Sequence, residues 1–128
     1  MATRMAASDQ GPRSAAAQES AVELHSVIEF LNEHLGSRLL ALALDVDHRT
    51  IGRWLTDRDR TPQFDTELKV RATYQVFQAL QPVDAPATIR AWFMGMNPQL
   101  EDRSPAEAIR DGDARAVMAA ARAFINAG

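Results

Sequence analysis

The sequence predicts an all-α protein, a small helical bundle. Three observations lead there. Apolar residues recur at three- and four-residue steps, as in Val22, Leu24, Val27, Ile28, Leu31 and Leu35, which is the spacing of one helix face. Alternating runs of Val, Ile and Thr are nearly absent, and no Asn-Gly pair is present to turn a hairpin. Helix punctuation is frequent instead, with Gly36, Gly95, Asn97-Pro98, Ser104-Pro105 and Asp111-Gly112-Asp113 at starts and stops.

Residues 1–20, MATRMAASDQGPRSAAAQES, hold almost no large apolar side chains. They bury too little surface to offset the entropy of ordering, so they read as a disordered tail. Ser20 is placed to N-cap the first helix, with Glu23 completing a capping box, and Gly36 to stop it. A short second helix spans Ser37–Leu44. The third runs from His48 to about Leu55, with Asp47 as its N-cap. TDRDRTPQFD is a polar connection. The fourth helix spans about Asp65 to Leu80, with Leu68, Tyr74, Val76, Phe77 and Leu80 among its apolar members, and Pro82 closes it.

A second lobe follows, so the chain divides as 1–20, 21–81 and 82–128. Pro86 suits a first helical turn, and Ile89, Trp92 and Phe93 give that helix an apolar stripe before Gly95 ends it. Asn97-Pro98 opens a brief turn. Ser104-Pro105-x-Glu107 caps the next helix. The last helix runs from about Asp113 to Asn126.

Composition narrows the function. The chain is 46% hydrophobic and 24% charged, in the range of globular proteins. Without cysteine, disulfides and thiolate metal sites are out of reach. No apolar run approaches the roughly 20 residues that span a bilayer, and the N-terminus lacks the apolar centre of a signal peptide. A cytoplasmic protein is expected. The net charge of −3 argues against nucleic acid, but its distribution counts for more. Residues 38–71 gather Arg38, Arg49, Arg53, Arg58, Arg60, Lys69 and Arg71 against 6 acids, a slight positive excess, while residues 1–37 hold 2 arginines against 5 acids.

Residues 41–54, ALALDVDHRTIGRW, fit a helix-turn-helix. Leu40 and Leu44 supply contacts one turn apart, Ala41 allows a close crossing, Val46 plugs the corner, and Ile51, Trp54 and Leu55 form the inward face. The corner position that usually takes glycine holds Asp45, a residue that tolerates left-handed backbone. Any small helical protein has short helices with Leu and Ala. The outward face of the third helix is what points to DNA: His48, Arg49, Thr50 and Arg53 stand where a recognition helix meets base edges, and Arg pairs bidentately with guanine. Arg38 is placed for a phosphate. Arg58 and Arg60 alternate with acids and read equally as a self-neutralising loop. Docking geometry implies a homodimer on operator DNA.

Residues 92–112, WFMGMNPQLEDRSPAEAIRDG, resemble the toxin-binding domain of MbcA/ParS/Xre-type antitoxins. Trp92, Asn97-Pro98 with Leu100, Ser104-Pro105, Ile109 and Gly112 carry the likeness, which extends over roughly residues 22–126 once the helix-turn-helix is included. Glu101-Asp102-Arg103 occupies a loop often glycine-rich in that family, and Ile109 stands where Leu is common. The resemblance implies a type II antitoxin whose partner is a RES-domain toxin that depletes NAD, and the expected assembly is a homodimer or a higher hetero-oligomer with that toxin. It also implies that the C-terminal segment lies at the toxin's active-site cleft and that the first lobe represses the operon.

In the last helix, Val117, Ala121 and Phe124 share a stripe with Met118 and Ile125 beside it. Phe124 and Ile125 are expected to anchor in an apolar groove of the toxin, as helix-in-groove partners do. Arg122, Asn126 and Gly128 would then lie nearest its NAD cleft. The competing reading is that this stripe packs on the protein's own core, and Trp92, too, suits a core.

Nothing points to catalysis. His25, Glu29 and Glu33 are four apart and could hold a metal, but they read as a solvated helix face. There is no phosphate loop and no activated nucleophile, so no enzyme, metal or cofactor is expected. The alternative function is a stand-alone helix-turn-helix regulator whose second lobe dimerises or senses a ligand.

Overall fold

A computed structural model describes residues 6–127, with side-chain surroundings defined for Glu19, Ala21 and residues 23–127. The described residues contain helices and no strand: α1 (Ala6–Leu35), α2 (Ser37–Leu44), α3 (His48–Thr56), α4 (Phe64–Leu80), α5 (Pro86–Met94), a 3-10 turn (Pro98–Leu100), α6 (Pro105–Arg110) and α7 (Ala114–Ala127). The expected all-α bundle is what is observed.

The N-terminus departs from expectation. The backbone is helical from Ala6, so Ser20 lies within α1 and not at its start. Ala, Gln and Glu are good helix formers, and a helix anchored further along extends into such a segment more readily than it nucleates. Residues 1–5 of the expected tail lie outside the described residues. Leu24 is packed into the core, 3% exposed.

α1 stops at Gly36, whose φ of +83° suits a residue without Cβ and whose N–H donates to Asn32 O at 3.0 Å. Arg90 Nε on α5 donates to Leu35 O at 2.9 Å, satisfying a carbonyl at that helix end. The corner after α2 behaves as its sequence suggests. Asp45 is left-handed, with φ 59° and ψ 48°, and Val46 N–H donates to Ala41 O at 3.1 Å in a Schellman-type closure.

One core joins α1–α4 with α5–α7. Leu31, Leu40, Ile51, Phe77, Phe93 and Ile109 are all fully buried in a single cluster. Each such side chain contributes about 1.5–3 kcal/mol through burial. α2 packs on α6 and α4 on α7. Ala41 and Ala43 on α2 and Ala106 and Ala108 on α6 are buried, and their short side chains let those two helices approach closely. An aromatic chain crosses the bundle: Phe30 meets Phe77 at 5.3 Å between centroids, Phe77 meets Phe93 at 6.5 Å, and Phe93 meets Trp92 at 5.3 Å.

Candidate nucleic-acid and partner-binding surfaces

The α2–α3 corner presents the first surface. Asp47 caps α3, its carboxylate accepting the Arg49 N–H at 2.8 Å. Ile51 and Trp54 point into the core, at 0% and 6% exposed. That rotation leaves His48, Arg49 and Arg53 exposed and Thr50 half-buried, with Arg38 exposed at the start of α2. Arg38 and His48 line one shallow depression together with Val46 and Asp47. Two of the arginines are already tethered. Arg49 Nε and Nη2 donate to Asp47 at 3.1 Å each, and Arg53 Nη2 donates to Thr50 Oγ1 at 3.2 Å. Hydrogen bonds from Arg49 hold the Asp47 carboxyl far below the ordinary carboxylate range, and Asp47 in turn raises Arg49.

The remaining cations of residues 38–71 are engaged internally. Arg60 pairs with Asp57 at 3.3 Å and Arg58 with Glu29 at 3.2 Å. Arg71 meets both Glu23 and Glu67, and Lys69 Nζ donates to Arg110 O at 2.9 Å. The self-neutralising reading of TDRDR describes Arg60, whereas Arg58 reaches across to α1.

The second surface is built around the Asn-Pro loop. Asn97 Oδ1 accepts Gln99 N–H at 2.9 Å, capping the 3-10 turn, and Pro98 is exposed. Glu101 and Asp102 both take left-handed backbone, with φ of 58° and 64°, so the loop adopts without glycine a shape that favours it. Arg103 straps it down: Nε donates to Leu100 O at 3.0 Å, Nη1 lies 3.1 Å from Asp111 and Nη2 2.8 Å from Asp113. The capping box of α6 is complete, Glu107 N–H donating to Ser104 Oγ at 3.0 Å and Ser104 N–H to Glu107 Oε1 at 2.8 Å.

Trp92 is half-buried and its ring lies 6.3 Å from that of Phe124, which is 40% exposed. Ile125 is half-buried against the core, so Phe124 offers the freer apolar surface of the two. Arg122 and Asn126 are exposed. Gly128 lies outside the described residues. A shallow depression of about 610 Å³ is lined by Val83, Asp84, Phe124, Ile125 and Ala127. Val83, Met94 and Met96 are also exposed. Sequence spacing missed these three, because periodicity assigns no inner or outer side to residues at helix ends and loops.

His25 corrects the expectation of a solvated face. Its ring is 1% exposed, with Nδ1 2.8 Å from Ala21 O and Nε2 2.8 Å from Arg60 O. It pins the loop after α3 to α1, while Glu29 and Glu33 stay exposed. Among the described residues no cluster of His and carboxylates could hold a metal. Nor is any described helix long and apolar enough to cross a membrane.

No family model matches the chain, and no curated protein matches it. A chain in the crystal structure of the M. tuberculosis MbcT-MbcA toxin-antitoxin complex is similar, with a TM-score of 0.67 and 26% identity over 81% of this chain and 95% of that one. The fold is thus that of a component of a toxin–antitoxin complex. The likeness supports an MbcA-like antitoxin fold.

Proposed function

We propose that the chain is the antitoxin of a type II toxin–antitoxin pair. It binds a RES-domain toxin through residues 82–128, covering the NAD-degrading site, and represses its own operon as a homodimer through the helix-turn-helix of residues 21–81. The observation that carries this reading is the similarity to a chain of the MbcT-MbcA complex, and the Trp…Asn-Pro…Ser-Pro pattern of residues 92–105 agrees with it. Half-buried Trp92 and exposed Phe124, with exposed Val83 lining the same depression as Phe124, supply apolar area of the kind a protein partner covers. Arg122 and Asn126 are exposed on α7 and, with Gly128, are the residues this reading assigns to the toxin's cleft.

Co-expression with a RES-domain toxin encoded beside this chain tests the reading. The full chain preserves growth and cellular NAD. A chain lacking residues 122–128 does not, yet still retards the upstream DNA in a gel. Neutralisation that survives the truncation removes the covering role of the C-terminal segment. In the second reading, a stand-alone regulator, this apolar area joins two copies of this chain, and no stable complex with the toxin forms.

A further inference from the structure

How an arginine reads DNA depends on where its guanidinium points before DNA arrives, and at the start of α3 a single carboxylate sets that. Asp47 accepts the Arg49 backbone N–H at 2.8 Å, and its two oxygens accept Nε and Nη2 of the Arg49 side chain at 3.1 Å each. It caps the helix and grips one edge of the guanidinium at the same time. A guanidinium carries its five N–H donors in a fixed planar fork. With the Nε–Nη2 edge engaged, the end-on pair remains, one N–H from each terminal nitrogen. The Arg49 side chain is 76% exposed. Two parallel donors of that kind match the N7 and O6 acceptors of guanine in the major groove.

An untethered arginine meets phosphates from many directions, and phosphate contacts carry no sequence information. A tethered one has surrendered part of its rotamer freedom before docking. The carboxylate itself repels phosphates, which weakens the non-specific mode against which a specific contact is measured. Arg53, one turn on, is held by Thr50 in the same sense.

We propose that Asp47 is a positioning residue for base readout: by gripping Arg49 it commits the leading end of α3 to guanine and makes the surface sequence-discriminating. This rests on the reading of α2–α3 as a surface for duplex DNA.

The test uses the full chain and a pool of duplexes with randomised central base pairs, sequenced before and after capture. The wild type enriches guanine at one position per half-site by about fivefold or more, and Arg49→Ala abolishes that enrichment. Asp47→Asn and Asp47→Ser both keep a helix cap but cannot hold both arms of the fork. In each, guanine enrichment falls below about twofold while capture of other sequences rises as the acid is lost. Unchanged guanine enrichment in both variants overturns the positioning role. So does a rise in capture equal for every sequence, which makes Asp47 a plain electrostatic brake. A wild type that captures no duplex overturns the DNA reading itself, and this inference with it.

Discussion

Replacing Ile109 with alanine asks whether α1–α4 and α5–α7 unfold as one body. Ile109 is fully buried on α6, and α6 packs on α2, whose buried Ala41 and Ala43 are too short to swing into a vacated space. A buried Ile→Ala change costs about 2–5 kcal/mol, and poor collapse around the site favours the middle of that range, about 3–4 kcal/mol. At roughly 4 °C per kcal/mol for a domain of this size, the thermal midpoint falls by about 12–16 °C. The chain's 2 tryptophans supply separate reporters: Trp54 sits in α3, 6% exposed, and Trp92 is half-buried in α5. Thermal unfolding followed by fluorescence in Trp92→Phe and Trp54→Phe backgrounds, each with and without Ile109→Ala, reads the two sets of helices independently. Both midpoints fall together by the same amount, and Ile109→Val lowers each by far less. If the Trp54 signal keeps its midpoint while the Trp92 signal loses stability, the continuous core does not couple the two sets and the reasoning fails.

Ser104→Ala removes the acceptor for the Glu107 N–H and costs about 1 kcal/mol, seen as a lower urea midpoint. Glu107→Gln, which can still reach the Ser104 N–H, moves it much less. Glu101 holds φ at 58°. Relief of left-handed strain of about 1–2 kcal/mol, less the 0.5–1 kcal/mol of added chain entropy, makes Glu101→Gly stabilising by about 0.5–1 kcal/mol, and a lower urea midpoint contradicts this. Hydrogen bonds from Arg110, then Arg103, hold the Asp111 carboxyl below its ordinary value of 3.8. A depressed carboxyl contributes stability above its unfolded value and loses it as pH falls through the folded one, so the midpoint declines below about pH 4. In Asp111→Asn that decline is shallower over the same acid range, and equal slopes for the two proteins exclude the linkage.

Local signals reveal the helices well. Gly36, Asp47, Gly95, Asn97 and Ser104 mark boundaries because caps and stops act within one turn, and the structure places an end or a cap at each of them. Asp45 is legible for the same reason, since the corner demands left-handed backbone whatever residue occupies it. Long-range pairing is not legible. His25 shares its spacing with exposed Glu29 and Glu33, and only the loop folding back across α1, with Arg60 O on the imidazole, buries it. The candidate sites divide along the same line. Residue types and rotation around α3 place His48, Arg49 and Arg53 outward from sequence alone. Which cations are occupied depends on acids far along the chain, as with Arg58 and Glu29. The exposed Met94, Met96 and Val83 carry no periodic signal at all.

A bundle with a single interior also has a single lifetime. A protease that waits for the interior to open meets the entire chain at that moment, because local opening free energies rise toward the global value in the core. A partner seated on Trp92 and Phe124 adds its binding free energy to the whole unit, and so slows destruction of the α3 face as well. One turnover event, wherever it begins, removes both surfaces together.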